Sequence, residues 1–330
     1  MSRVAFIVNP IAGGGRALRG WRALRPHLPA QGTFDQYLTR SPGEAVRLAE
    51  MAARQNYDAV VPVGGDGTIQ EVVNGLLGVG LGGSRYMGPA MGMLPLGRGN
   101  DFARTFDLRG QLSDMWLRQW RSLKGLHRQI DVGRQICAGR TSYFINMCGA
   151  GFDADVAATA NRLPRRLGGA LPYLCGIFLR FIALSSKALK IHMSDVVPVE
   201  GCPHRAWHTI TTTQGDDGRT DIRVQQRFLL VLAGVGRFLG GGMMLLPHAE
   251  PRDGYLDVML AGPVGRMRLL RVLRSSFAGE HIREPEVAYF RARSLSVIGT
   301  ADTNIHADGD YVGTGSVKID GLSRILPVLF

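Results

Sequence analysis

Through the N-terminal third of the chain, short apolar runs alternate with amphipathic stretches. The run at 4–8 is followed by a helical pattern over 17–27, 33–38 by 44–54, 59–63 by 69–77, and 91–94 by 101–106. This βαβα rhythm predicts a mostly parallel sheet with helices on both faces. Beyond about residue 126 the rhythm changes. Apolar runs at 143–147, 228–233, 256–260 and 295–297 follow one another with few helical patterns between them, which predicts a second, largely antiparallel domain. The expected division is 1–130, an α/β domain, and 131–330, an all-β-rich domain with helices near 152–185 and 264–277.

Both helices in the second part are amphipathic. Over 167–185, Leu167, Leu171, Leu174, Phe178 and Ile182 recur at helical spacing, while Pro172 and Arg180 argue against a membrane span. Over 264–277, Leu269, Leu270 and Leu273 share one face and Arg268, Arg271 and Arg274 cluster on another. That pattern suits a helix lying at acidic headgroups, or equally one packed on the protein's own core. The stretch 194–223, with its Gly215-Asp216-Asp217-Gly218 loop, reads as a long hairpin insertion.

Length supports two cores, since 330 residues exceed the roughly 250–300 at which one core divides. Against 27 acidic side chains stand 39 Lys and Arg, a formal charge of +12 that would attract phosphate or an anionic membrane. Four cysteines lie far apart without a C-x-x-C, which fits neither a disulfide framework nor a zinc ribbon and points to a reducing compartment. The apolar run before Asn9 and Pro10 is too short for a signal peptide, so a cytoplasmic location is expected. The basic charge comes without aromatic platforms or a reader motif, and no nucleic acid is expected as a partner.

Three glycine-rich segments follow the first, third and fourth expected strands: Asn9-Pro10-Ile11-Ala12-Gly13-Gly14-Gly15, Gly64-Gly65-Asp66-Gly67-Thr68 and Leu96-Gly97-Arg98-Gly99-Asn100-Asp101. In an open α/β sheet the loops at the carboxyl ends of strands converge, so all three should face one ligand. Glycines let backbone N–H groups approach phosphate oxygens, and the helix beginning near Thr68 offers its positive end to an anion. The expected ligand is a polyphosphate. Asp66 lies inside the middle loop, where a carboxylate beside phosphates is repelled unless a cation stands between them, which assigns it to Mg2+ or its water shell. Asp101 and Asp131 are further candidates, with helix capping the other reading of Asp101. There is no G-x-x-x-x-G-K-[ST] and no H-R-D. The G-x-G-x-x-G at 78–83 follows a helix pattern rather than a strand and reads as a loop.

GGDGT at 64–68, continued by Ile69-Gln70-Glu71-Val72-Val73-Asn74-Gly75, resembles the signature of the diacylglycerol kinase catalytic family of lipid kinases. NAD kinases and phosphofructokinases look similar there, but the resemblance continues through Leu94-Pro95-Leu96-Gly97-Arg98-Gly99-Asn100-Asp101-Phe102-Ala103-Arg104, Ile130-Asp131-Val132-Gly133, Gly149-Ala150-Gly151-Phe152-Asp153, Asp253-Gly254-Tyr255-Leu256-Asp257 and Asp308-Gly309-Asp310. It covers nearly the whole chain apart from 194–223.

The resemblance implies a Rossmann-like nucleotide-binding domain similar to NAD kinase and phosphofructokinase, and a C-terminal β-sandwich. It further implies an ATP- and Mg2+-dependent lipid kinase, acting on diacylglycerol or else on ceramide or a sphingoid base, with NAD kinase or a catalytically silent lipid-binding regulator as alternatives. By motif position Asn9, Pro10, Ile11, Ala12, Gly13, Thr39, Gly65, Asp66, Gly67, Thr68, Ile69, Gln70, Glu71 and Arg98 would line the nucleotide. Asp66, Asp101 and Asp131 would surround the catalytic Mg2+. The Asp253 carboxylate, with backbone carbonyls at Tyr255 and around Glu250, would hold a structural Mg2+. Asp310 or Asp308 would accept the proton of the substrate hydroxyl. The implied partners are a lipid at a membrane surface, its anionic headgroups and a second copy in a homodimer, with the enzyme peripheral on the inner face of the membrane. Three departures stand out: Arg98 where many members carry Thr or Ser, Asp310 in place of a Glu, and Val235-Gly236 in place of Asn-Gly.

Overall fold

The computed structural model of the protein describes residues 2–82, 85–125, 127–162, 176, 179–199, 210–214 and 218–330. The chain forms two compact units, Met1–Val132 with Ser323–Phe330, and Gly133–Leu322. Residues 323–330 return to the first unit because Val328 pairs in parallel with Met91. Most of the expected 167–185 helix and the middle of the 194–223 insertion lie outside the described residues.

The first unit runs β1 (Ser2–Val8), α1 (Ala12–Leu24), β2 (Gly32–Leu38), α2 (Glu44–Arg54), β3 (Ala59–Gly64), α3 (Asp66–Gly80), β4 (Ala90–Met91), β5 (Leu94–Pro95), α4 (Asp101–Thr105) and α5 (Leu112–Ser122). β1 pairs in parallel with β2 and β3, and β3 pairs in parallel with β4 and β5. β3 is buried along its whole length, as its unbroken apolar sequence requires of a central parallel strand. Val4, Phe6 and Val8 form one core with Trp21 of α1 and Trp116 of α5, whose rings lie 4.3 and 4.9 Å from that of Phe6. Ala5 and Ile7, on the opposite face, are equally buried, so both faces of the sheet are covered.

Two expectations are corrected here. The run at 91–94 is two short strands, because the Gln119 amide takes over the main chain between them, accepting from Met93 N and donating to Met93 O, each at 2.8 Å. The G-x-G-x-x-G segment is not simply a loop: α3 continues through Gly80 and Leu81–Gly82 then pairs with Arg85–Tyr86.

The second unit contains β6 (Arg128–Cys137, entering from the first), β7 (Arg140–Phe144), β8 (Met147–Gly151), α6 (Phe152–Arg162), β9 (Lys187–Ser194), β10 (Ile210–Gln214), β11 (Thr220–Phe228), β12 (Leu230–Gly234) and β13 (Leu256–Ala261). It continues with α7 (Arg266–Ser275), β14 (Val287–Ala292), β15 (Ser294–Ile298), β16 (Asn304–Ala307), β17 (Asp310–Thr314) and β18 (Val317–Val328, leaving to the first). One antiparallel sheet has the order β10-β11-β9-β15-β18, the other β14-β13-β12-β8-β16-β17. Ile191, Leu295 and Val297 of one sheet share a core with Val231, Val258 and Phe290 of the other. This is a β-sandwich.

Candidate active site

The three glycine loops of the first unit converge at the carboxyl ends of its strands. Asn9 N donates to Val63 O at 3.0 Å, Thr39 N to Val8 O at 2.9 Å and Leu96 N to Gly64 O at 2.7 Å, so each loop leaves its strand beside the next. Side chains bind them together. Asn9 Nδ2 donates to Thr68 Oγ1 at 3.1 Å, and Arg16 donates through Nε to Gly13 O at 3.1 Å and through Nη2 to Gly97 O at 2.7 Å. Two backbones touch where the middle and last loops cross: a Cβ on Gly97 would lie 2.3 Å from Gly65 Cα, so no other residue fits. Gly13, Gly14 and Gly15 all have positive φ, 60°, 69° and 84°, a left-handed run that only glycine adopts without strain.

These loops enclose an open cleft of about 530 Å³. Asn9, Pro10, Ile11, Ala12 and Gly13 form one wall; Gly65, Gly67, Thr68 and Glu71 form another, and Thr39 and Arg98 complete it. Asp66 is not part of this lining, nor are Ile69 and Gln70, which follow Thr68 into the helix and turn their side chains into the core. Glu71 is at the cleft, yet its carboxylate is committed to the start of α2, accepting from Gly43 N at 2.9 Å and Ala45 N at 3.1 Å. Sequence reasoning missed Arg40, Ser41, Pro42 and Ala45, which line the cleft together with Gly97 of the third glycine segment. The second strand ends at the same edge as the others, so the strand-end rule would have included its Arg-Ser-Pro-Gly turn.

Asp66 opens α3, and its Oδ1 accepts from Phe102 N of α4 at 3.1 Å. Burial raises its pKa, opposed by the backbone N–H groups of Phe102, Asn100 and neighbouring residues. Asp101 faces Arg104 at 3.7 Å, and Asp131 Oδ1 accepts from Arg324 N at 2.6 Å. Among the described residues no three Asp, Glu, His or Cys side chains gather into a metal cage. Magnesium seldom needs one, since it keeps waters and takes phosphate oxygens with one or two carboxylates. Asp66, between the cleft-lining Gly65 and Gly67, is the candidate for such a carboxylate.

The second expected metal set rests on one carboxylate and on main-chain carbonyls. Asp253 Oδ1 accepts from Tyr255 N at 2.9 Å, while Oδ2 meets Arg291 Nη1 at 3.2 Å. Glu250 faces Arg252 at 3.3 Å and Arg237 at 4.0 Å. Of these side chains only Asp253 belongs to the expected site, and its carboxylate is already shared between Tyr255 N and Arg291.

In the second unit, Asp308 and Gly309 connect β16 to β17 with φ of +50° and +87°, the pattern of a type I′ hairpin turn that Asp-Gly favours. The Asp308 carboxylate accepts from Ile145 N at 2.9 Å, Asn146 N at 2.8 Å and Met147 N at 3.0 Å. Those bonds explain why the expected strand at 143–147 is broken between β7 and β8. Asp310 stands exposed at the first position of β17. The two carboxylates therefore differ: Asp308 is tied to main chain, and Asp310 faces solvent.

Residues 3–135 match the diacylglycerol kinase catalytic domain family, and residues 146–330 match the YegS C-terminal NAD kinase beta sandwich-like domain family. A diacylglycerol kinase of Staphylococcus saprophyticus is 27% identical over 278 residues, 84% of this chain and 78% of that one. A diacylglycerol kinase of Staphylococcus aureus is 26% identical over 332 residues, 99% of this chain and 91% of that one. Two crystal structures from Bacillus anthracis share the fold. One has a TM-score of 0.73 at 21% identity, covering 100% of this chain and 95% of that chain. The other, a diacylglycerol kinase, has a TM-score of 0.64 at 19% identity, covering 100% and 97%. The glycine-loop cleft, the sandwich and these two matches, which between them take in most of the sequence, lead to one conclusion: the chain belongs to the diacylglycerol kinase family, phosphotransferases with an alcohol acceptor.

Proposed function

We propose that this protein transfers the γ-phosphoryl group of ATP to a lipid hydroxyl, with diacylglycerol as the first substrate to test. The observation that carries the reading is the cleft: three strand-end loops joined backbone to backbone, with a left-handed glycine run beside it and two arginines in its lining. Pro10, Ile11 and Pro42 offer apolar surface to a base, Ile11 being 81% exposed, and Arg40 and Arg98 offer charge to phosphates. Arg98 reaches further than the hydroxyl it replaces and adds a cation where the triphosphate accumulates negative charge. Bound Mg2+ would neutralise charge on the phosphoryl oxygens. Catalysis then rests on positioning and electrostatics.

A lipid alcohol needs a base within hydrogen-bond reach. Asp310 suits this role because it is exposed, whereas three backbone donors hold Asp308 in place. Asp308 shapes the turn that presents Asp310. The lipid arrives at a membrane surface, to which α7 would dock with its arginines and exposed Met267 and Leu270. Among the described residues no helix is long and apolar enough to cross a membrane.

The test is transfer of label from γ-labelled ATP with Mg2+ into micellar diacylglycerol, ceramide, a sphingoid base, monoacylglycerol and phosphatidylglycerol. We expect label in diacylglycerol, lost in Asp66→Asn and Asp310→Asn. Label in another lipid of the panel would move the substrate. ATP binding without label in any lipid would favour the silent regulator, and phosphorylation of NAD would reassign the enzyme.

A further inference from the structure

The turn that carries Asp308 and Asp310 rests on a buried histidine for which the phosphotransfer reading has no use. His306, in β16, is 1% exposed. It pairs across the sheet with Gly149 of β8 on one side and Tyr311 of β17 on the other, next to an irregularity in the register at Ile305. A Cβ on Gly149 would stand 3.3 Å from His306 Nε2, so the ring lies against the space that this glycine leaves. Nε2 meets the carboxylate of Asp153, at the start of α6, in an ion-pair contact. Nδ1 faces Gly309 N at 3.4 Å, and Gly309 is the residue between Asp308 and Asp310. The imidazole thus connects α6 to the turn.

Such a dyad is not needed to make the hairpin. Asp-Gly closes a two-residue turn by local preference alone, and Asp308 already secures it to the main chain of residues 145–147. Burying an imidazole and a carboxylate carries a desolvation cost that an apolar pair would avoid. What the dyad adds is a fixed orientation for the Gly309 peptide, and so for Asp310. This is the arrangement by which a carboxylate sets the tautomer of a histidine, with the second ring nitrogen left to act on a third group.

We propose that His306, gripped by Asp153, is a positioning residue for Asp310, holding the Gly309 peptide through Nδ1 so that the Asp310 carboxylate points at the substrate hydroxyl. This rests on Asp310 being the proton acceptor. With Nδ1 unprotonated the ring accepts the Gly309 N–H, while Nε2 stays in contact with the Asp153 carboxylate. A proton added to Nδ1 removes that acceptor and loosens the turn.

The charged groups that act on the ring are Asp153 on α6 and Asp308 and Asp310 on the turn, and Tyr311 of β17 is its cross-strand neighbour. Asp155 Oδ1 is occupied by Asn304 Nδ2 at 2.5 Å. Burial disfavours the imidazolium, but Asp153, Asp308 and Asp310 outweigh it and raise the pKa above the 6.5 of an ordinary imidazole. The ring therefore gains its proton as pH falls through a range above 6.5, and kcat should fall with it.

The experiment measures kcat and KM for ATP against pH in the full-length enzyme, wild type beside His306→Gln, Asp153→Asn and Asp310→Asn, with thermal unfolding of each. Gln keeps an N–H near Nε2 and loses the ring nitrogen that faces Gly309. We expect kcat to fall about ten- to a hundred-fold in His306→Gln and in Asp153→Asn, the scale of a misdirected catalytic group, with KM for ATP unchanged. The acid limb above 6.5 should vanish in His306→Gln. Should His306→Gln unfold, Asp153→Asn carries the test, its expected signature a shifted limb at native thermal stability. Wild-type kcat and an unmoved acid limb in a folded variant overturn the proposal while leaving the kinase reading intact, provided Asp310→Asn is dead. Full activity in Asp310→Asn sinks the base assignment and this inference with it.

Discussion

Asp257 shows how far burial alone can carry a carboxylate from its ordinary behaviour. It opens toward the core from β13, 1% exposed; Tyr289 donates to its Oδ1 at 2.9 Å, and Oδ2 has no hydrogen-bond partner among the described residues. Burial, with the charge of Asp253, pushes its pKa up to about 7 against the help of Tyr289, Arg291 and Arg237. In the unfolded chain the same group titrates near about 3.9. Between those values the folded state keeps a proton that the unfolded state has released, so this group's contribution is full below about pH 4 and is lost as pH rises to 7. Asp257→Asn stays neutral throughout and keeps the acceptor for Tyr289. We expect the variant to match wild type in thermal unfolding at pH 4.5 and to be more stable at pH 8, on the order of 2–4 kcal/mol. An equal shift at both pH values would show a packing effect and not a titration. Nothing nearby in the chain announces this burial, since Asp253-Gly254-Tyr255-Leu256-Asp257 reads locally as turn and strand end. The glycines were legible: Gly13, Gly65 and Gly97 stand where backbones meet, a requirement visible in their spacing after strands.

At the scale of elements, local pattern and tertiary demand can be separated. Helix α2 matches the amphipathic pattern at 44–54 end to end, and β3 shows in its unbroken apolar run, because both are decided by residues near in sequence. The breaks were not legible. Asp308 lies 161 to 163 positions from the N–H groups it accepts, and Gln119 lies 26 from Met93, so nothing near either break announces it. Distant partners also changed what the candidate residues do. Glu71, expected at the nucleotide, lines the cleft and also accepts from the start of α2, and the Asp253 carboxylate, expected on a metal, also meets Arg291. A turn whose carboxylate already meets a guanidinium group should not depend on a divalent ion for its stability. Thermal unfolding in excess EDTA should therefore stay within about 1 °C of that in Mg2+ without nucleotide, when ΔΔG of 1 kcal/mol moves Tm by about 2–4 °C at this size. A drop in EDTA that Mg2+ reverses, and that Asp253→Asn abolishes, would put the ion back in the turn.

For the whole molecule, the formal charge of +12 becomes informative once it is seen where apolar surface is left uncovered. Charge alone draws a protein toward any polyanion and does not hold it at a membrane. On α7 and just beyond it the two features coincide: Met267 is 80% exposed, Leu270 47% and Phe277 60%, among Arg266, Arg271 and Arg274. Leu179 and Ile182 are exposed as well, and Arg266 Nη2 donates to Ile182 O at 2.7 Å, which joins their segment to α7. Arg268 belongs to a different arrangement, since it pairs with Glu284 and Glu286 and is spent within the protein. The surface left over has apolar side chains to enter an acyl boundary and arginines to meet acidic headgroups, each worth about 1 kcal/mol near such a surface. In flotation with phosphatidylglycerol-containing vesicles at low salt, the protein should rise with the lipid. With phosphatidylcholine alone it should stay behind, because insertion of three apolar side chains then lacks its electrostatic partner. Raising salt to 0.5 M should weaken the anionic binding, and Leu270→Glu with Phe277→Glu should abolish it while kcat on micellar substrate is retained. Equal flotation with both vesicle types, or binding that survives the double substitution, would mean that some other surface of the protein meets the membrane.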